Sequence, residues 1–157
     1  MQKNSGFTIV EVMIVVAIMA IVASIAVPNM LGSRSDAKLR GAVANLKGDL
    51  NTAKMMAVRE NALVVVNFFG NGYQVFVDNG AGANSGDWTL NADERSLVNR
   101  SLPAGVTIDL ATSTFADNRT RYNRRGLPQN LGIVVVEDLT GAQRQLELNR
   151  LGRIEIQ

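Results

Sequence analysis

The sequence contains no histidine and no cysteine in its 157 residues. The common zinc and iron ligand sets are therefore missing, as are the histidine general base and the cysteine nucleophile. A protein without catalytic activity, metal or cofactor is the expectation. Without cysteine, no disulfide reports on the compartment either. Aromatic side chains are sparse, with one Trp, two Tyr and five Phe, which leaves little for unpaired nucleic-acid bases to stack on. Net charge is only +2, so neither sign dominates the whole chain.

What stands out instead is one apolar run. Val12 to Leu31 gives 20 residues without a charge, enough to cross the ~30 Å hydrocarbon core of a bilayer as a helix. Glu11 stands at its edge, where an unpaired charge drawn into lipid costs roughly 2.5 kcal/mol or more. Such an acid requires a partner. The leader before it, MQKNSG, is short and polar and ends on Gly6, directly before Phe7. Cleavage after Gly6 would give Phe7 a free ammonium. Positions i and i+4 share a helix face, so that ammonium and the Glu11 carboxylate can neutralise each other, within a chain or between neighbours. The carboxylate also relieves a positive charge at the positive end of the helix dipole.

Gly6, the stretch Phe7-Thr8-Ile9-Val10-Glu11 and the apolar run with Pro28 resemble the processing site and N-terminal helix of type IV pilins and type II secretion pseudopilins. The resemblance implies that a prepilin peptidase removes the leader on the cytoplasmic side and N-methylates Phe7, and that Glu11 guides subunits into a helical filament. The partners it implies are other pilin or pseudopilin subunits, the peptidase, an inner-membrane assembly platform and the membrane. It also implies a single-pass inner-membrane protein with its head outside the cytoplasm, which later joins a pilus or pseudopilus. Local charge does not set that orientation, because Arg34, Lys38 and Arg40 follow the run and only Lys3 precedes it.

Beyond the membrane half, residues 7–31, the helical pattern continues through residues 32–61. Leu39, Val43, Leu46, Leu50, Ala53 and Ala57 recur at alternating spacings of four and three, with charged residues elsewhere on the wheel. Pro28 lacks an N–H and Gly32 is a poor helix former, so a kink or a melted turn is expected there, and the two form a candidate hinge.

From Ala62 the pattern changes to short β runs. ALVVVNFF and YQVFV flank Gly70-Asn71-Gly72, a hairpin signal because Asn and Gly tolerate positive φ. Asp78 to Trp88 is a loop of turn residues, read as solvated; its acids do not follow the spacing of an EF-hand calcium loop. Further runs at 95–100, 106–110, 132–137, 143–148 and 153–157 indicate an antiparallel sheet. No internal repeat is visible. The chain thus reads as α+β, with a leader (1–6) and a long N-terminal helix packed on a β-sheet or β-sandwich head (62–157).

Phe76 to Gly80, Tyr122 with Arg125-Gly126-Leu127, and Leu151 to Ile154 resemble the head of H-type pseudopilins and FimT-type minor pilins. That resemblance implies a minor subunit; a main filament subunit would carry the same N-terminal helix. DNA capture is a further alternative, of a different class. From Asn118 onward seven arginines, Arg119, Arg121, Arg124, Arg125, Arg144, Arg150 and Arg153, face only Glu137, Asp138, Glu147 and Glu155; arginines grip phosphates, and all but Arg144 are candidate nucleic-acid contacts. Some FimT-type pilins bind DNA through a C-terminal Gly-Arg-x-Arg pattern. Here Gly152-Arg153-Ile154 runs into Glu155, whose charge opposes phosphate.

Overall fold

The computed structural model describes residues 7–157. One helix, α1 (Ile9–Arg59), precedes eight strands: β1 (Leu63–Phe69), β2 (Gly72–Asp78), β3 (Arg95–Ser101), β4 (Val106–Asp109), β5 (Arg119–Tyr122), β6 (Gly132–Asp138), β7 (Gln143–Leu148) and β8 (Ile154–Ile156). The chain divides into two compact units, one ending at Arg34 and the other beginning at Ser35. The helix is unbroken at Pro28 and Gly32, so the melted turn expected there does not form; the Pro28 side chain lies outside the described residues.

In the second unit the predicted apolar stripe is the buried one. Leu39, Val43, Leu46, Leu50, Ala53 and Ala57 all join the core, together with Ala42. The helix ends at Arg59, and just past it Asn61 takes the left-handed conformation (φ 50°) and lets the Ala62 amide reach back to the Ala57 carbonyl at 3.2 Å.

The strands form two four-stranded antiparallel sheets, ordered β3-β2-β1-β5 and β4-β6-β7-β8. Alternation sends Val64, Val66 and Phe68 of β1 and Tyr73, Val75 and Val77 of β2 to the core beside α1. Val106, Ile108, Val134, Val136, Leu146, Leu148 and Ile154 do the same from the second sheet. The predicted pair of sheets packed on the helix is what forms. The β1–β2 hairpin also forms, but for a different reason: none of Gly70, Asn71 and Gly72 has positive φ. Gly72 is needed because a Cβ there would lie 2.2 Å from the Arg100 carbonyl oxygen on β3.

Polar ties fix the helix on the sheets. The Asp49 carboxylate accepts from the Tyr73 hydroxyl and from Arg100 Nε, both at 2.7 Å. Burial, and then the Asp49 bond, push the Tyr73 phenol well above its ordinary pKa, so it remains a donor. Lys38 donates to the Ala104 carbonyl, and Glu60 pairs with Arg95. At the start of this unit the Ser35 hydroxyl donates to Asp138 at 2.6 Å. That bond, followed by one from Thr140, lowers the Asp138 carboxyl from 3.8 to about 2. A depressed carboxyl adds stability that is complete above its unfolded pKa and fades as pH falls through the folded one. Acid titration of the full-length protein in detergent should therefore show a stability loss between about pH 4 and 2. Ser35→Ala should flatten that part of the curve, measured as denaturation midpoint against pH.

Candidate functional site

The N-terminal part of α1 begins with a cap. Thr8 stands just before the helix, and its Oγ1 accepts the Glu11 amide at 3.2 Å. Glu11 is thus the third residue of the first turn, in the Thr-x-x-Glu spacing of a capping box. That spacing is legible in the sequence alone. It also corrects the expected geometry, since Phe7 precedes the cap and is not a helical i−4 neighbour of Glu11. The two still border one shallow groove with Val12, Val15 and Val16. No cation among the described residues pairs with Glu11, and Gly6 lies outside them. Ile9–Ala26 is long and apolar enough to cross a membrane, and none of it is buried within the chain. Phe7 itself is 83 % exposed.

The six candidate arginines of the basic C-terminal part separate into two groups. Arg119, Arg121 and Arg153 are engaged. Arg119 pairs with Asp117 at 3.0 Å and Arg153 with Glu155 at 2.9 Å. The Arg121 side chain is only 12 % exposed; it donates to Gln129 and to the Gly86 carbonyl and pairs with Asp78 at 3.4 Å. Arg119 and Arg121 lie on β5. Trp88 lies on the Arg121 guanidinium, 4.0 Å from its ring centroid, with Arg119 at 5.0 Å. Trp88 adopts φ 68°, and its amide and that of Gly86 donate to the buried Asp78 carboxylate. The segment expected to be a solvated loop is therefore tied to the outer face of the first sheet. No group of three metal-ligating side chains occurs among the described residues.

Arg124, Arg125 and Arg150 form the second group. They are exposed, and their side chains find no partner among the described residues.

A family model described as type II transport protein GspH matches residues 42–152, most of the second unit. The chain belongs to the GspH family. A second model, the prokaryotic N-terminal methylation motif, matches residues 1–27. The GspH-family chain is 48 % identical over 46 residues to the type II secretion system core protein G of Vibrio cholerae, covering 29 % of this chain and 32 % of that protein. It is 49 % identical over 45 residues to the type IV major pilin protein PilA of Myxococcus xanthus, covering 29 % of this chain and 20 % of that one. These matches therefore span a third or less of each curated relative's length. Two solved structures share the fold. The type IV minor pilin FimU of Pseudomonas aeruginosa superimposes with TM-score 0.56 at 16 % identity, over 78 % of this chain and 90 % of that one. The minor pseudopilin EpsH of Vibrio cholerae gives 0.57 at 9 % identity, over 76 % and 96 %. The likeness to pilins and pseudopilins drawn from the N-terminal residues, and that to H-type heads, are both borne out.

The two arginine groups should respond differently to truncation. Arg121→Ala removes the donors that hold Asp78 and the 79–94 segment, and should cost about 2 kcal/mol and open that segment to proteases. Arg124→Ala should stay within about 0.5 kcal/mol of the parent. Chemical denaturation with limited proteolysis checks both.

Proposed function

We propose that this GspH-family chain is a non-enzymatic minor subunit of a type II secretion pseudopilus or a type IV pilus. The observation that carries the reading is one chain joining a GspH-family head to an N-terminal methylation motif whose apolar helix buries nothing within its own chain. In this reading the precursor sits in the inner membrane with its head outside the cytoplasm. A prepilin peptidase hydrolyses the Gly6–Phe7 bond, and the new Phe7 amine is methylated and remains cationic. The Glu11 carboxylate of one subunit then pairs with the Phe7 ammonium of its neighbour as an assembly platform draws the helix out of lipid. Exchanging lipid for helix contacts is near neutral hydrophobically, so close packing and charge pairing decide entry into the filament.

The preference for a minor over a main subunit is supported by the head. The match to the major pilin covers 29 % of the chain, whereas the GspH match runs through residues 42–152. DNA capture has less support, because three of the six candidate arginines are engaged within the head.

Mass spectrometry of sheared filaments from the native cells tests the assignment. The expected result is a peptide beginning at methylated Phe7, in trace amount beside a more abundant pilin; a dominant signal would make the chain the main subunit. Glu11→Ala should be trimmed yet enter filaments poorly, and normal entry would remove the pairing step. Replacing Gly6 with a bulky residue should leave Met1–Gly6 attached, and correct trimming would refute the cleavage site.

A further inference from the structure

Two turns of the head repeat a short pattern. Asn123-Arg124-Arg125-Gly126 and Asn149-Arg150-Leu151-Gly152 both read Asn-Arg-x-Gly. In the first, the Asn123 side-chain oxygen accepts the amides of Arg125 and Leu127 at 2.9 and 3.1 Å. In the second, Asn149 accepts those of Leu151 and Arg153, both at 3.0 Å. Each glycine amide bonds back to its asparagine carbonyl, at 2.8 and 2.9 Å, and each glycine has positive φ, 73° and 68°. The backbone bonds and the side-chain bonds coincide, so the two turns are one structure made twice.

They also meet in space. Lys54 Nζ donates to the carbonyls of Leu151 and Gly152, and a Cβ at Gly126 would lie 3.2 Å from Lys54 Cγ. A Cβ at Gly152 would lie 3.0 Å from the Gly126 carbonyl oxygen, so the turns are in direct contact. Arg124 and Arg150 occupy the same step of these two rigid turns, and neither has a partner among the described residues. Arg125 and Arg59, at the end of α1, are equally unpaired. The nearby acids are already engaged, Glu60 by Arg95 and Glu155 by Arg153. Two shallow grooves at this end of the helix have no carboxylate in their lining. Apolar side chains stand open among these cations: Met55 is 62 % and Leu151 75 % exposed, with Val58 and Leu127 beside the first turn.

We propose that the twin Asn-Arg-x-Gly turns and the last turns of α1 form a docking surface for an acidic, apolar face of another polypeptide. Its carboxylates would pair with Arg124 and Arg150, and its apolar side chains would cover Met55 and Val58. Charge complementarity asks for an anionic partner, because four guanidiniums here are left without an acid. The interleaved apolar side chains select a polypeptide over a phosphate backbone, which would leave them wet. The surface uses neither Phe7 nor Glu11, so it does not depend on how the N-terminal helix assembles.

The test is fluorescence anisotropy on the full-length protein in neutral-lipid nanodiscs, with empty discs as blank. The probes are a labelled peptide interleaving Glu with Leu, the same peptide with Ser for Leu, and a duplex DNA of matched charge. The Glu/Leu peptide should bind most tightly, and R124A/R150A should weaken it at least about tenfold without changing the thermal melt. R34A/K47A, which removes two other unpaired cations, should leave it within about twofold. Tighter binding of DNA than of either peptide, no advantage of Leu over Ser, or equal weakening by the two double variants would each overturn the proposal.

Discussion

The structure depends on one unbalanced helix. The first part of α1 is apolar on every side and buries nothing within its own chain, whereas the part beyond Ser35 buries its Leu39-to-Ala57 stripe and leaves only Met55 and Val58 open among its large apolar side chains. Free energy released by burying the first part has to come from lipid or from other chains. An apolar helix that is complete only in company is what a membrane precursor and a filament core would both require, which is the basis of the proposed role. Glu11, next to the Thr8 cap, is the one acid placed where such an environment would make its pairing decisive.

The head solves a different problem, holding an amphipathic helix against two sheets. Alanines at positions 42, 53 and 57 are buried on the helix face, and branched residues on alternate strand positions complete the core. Polar ties then fix the register: Ser35 to Asp138 at the start, Asp49 to Tyr73 and Arg100 in the middle, and Lys54 to the 151–152 carbonyls near the end. The outer face of the first sheet is closed separately, by the segment that Asp78, Arg121 and Trp88 hold in place. A left-handed tryptophan backbone is strained, and the stacking and the two Asp78 bonds over-determine it.

These arrangements divide the arginines by use. Those on β5 work inside the head as donors and stacking partners, and the one beside Glu155 is neutralised locally. Those on the twin turns are presented outward by a backbone that leaves little room for any residue but glycine at Gly126 and Gly152. A basic segment that looks uniform in composition thus separates into a structural half and a half free to meet a partner.

What the sequence by itself determined is what short-range periodicity and a local motif can carry. The apolar run, the four-and-three stripe and the alternating β runs each report burial directly, so the helix, most strand positions and the α+β class were legible. The Gly6 to Glu11 stretch carried the family. The Thr-x-x-Glu cap and the repeated Asn-Arg-x-Gly were also present as patterns, though short enough to pass for ordinary turn chemistry. Only the tertiary structure decided which charges are free. Arg121 and Asp78 are 43 residues apart, and nothing in either neighbourhood says that they meet beneath Trp88. Likewise, the contact of the two glycine turns over Lys54 follows from strand order, which sets β5 and β8 in different sheets while bringing their ends to one helix. Long-range pairing is settled by how whole faces pack, and one-dimensional spacing holds no record of it.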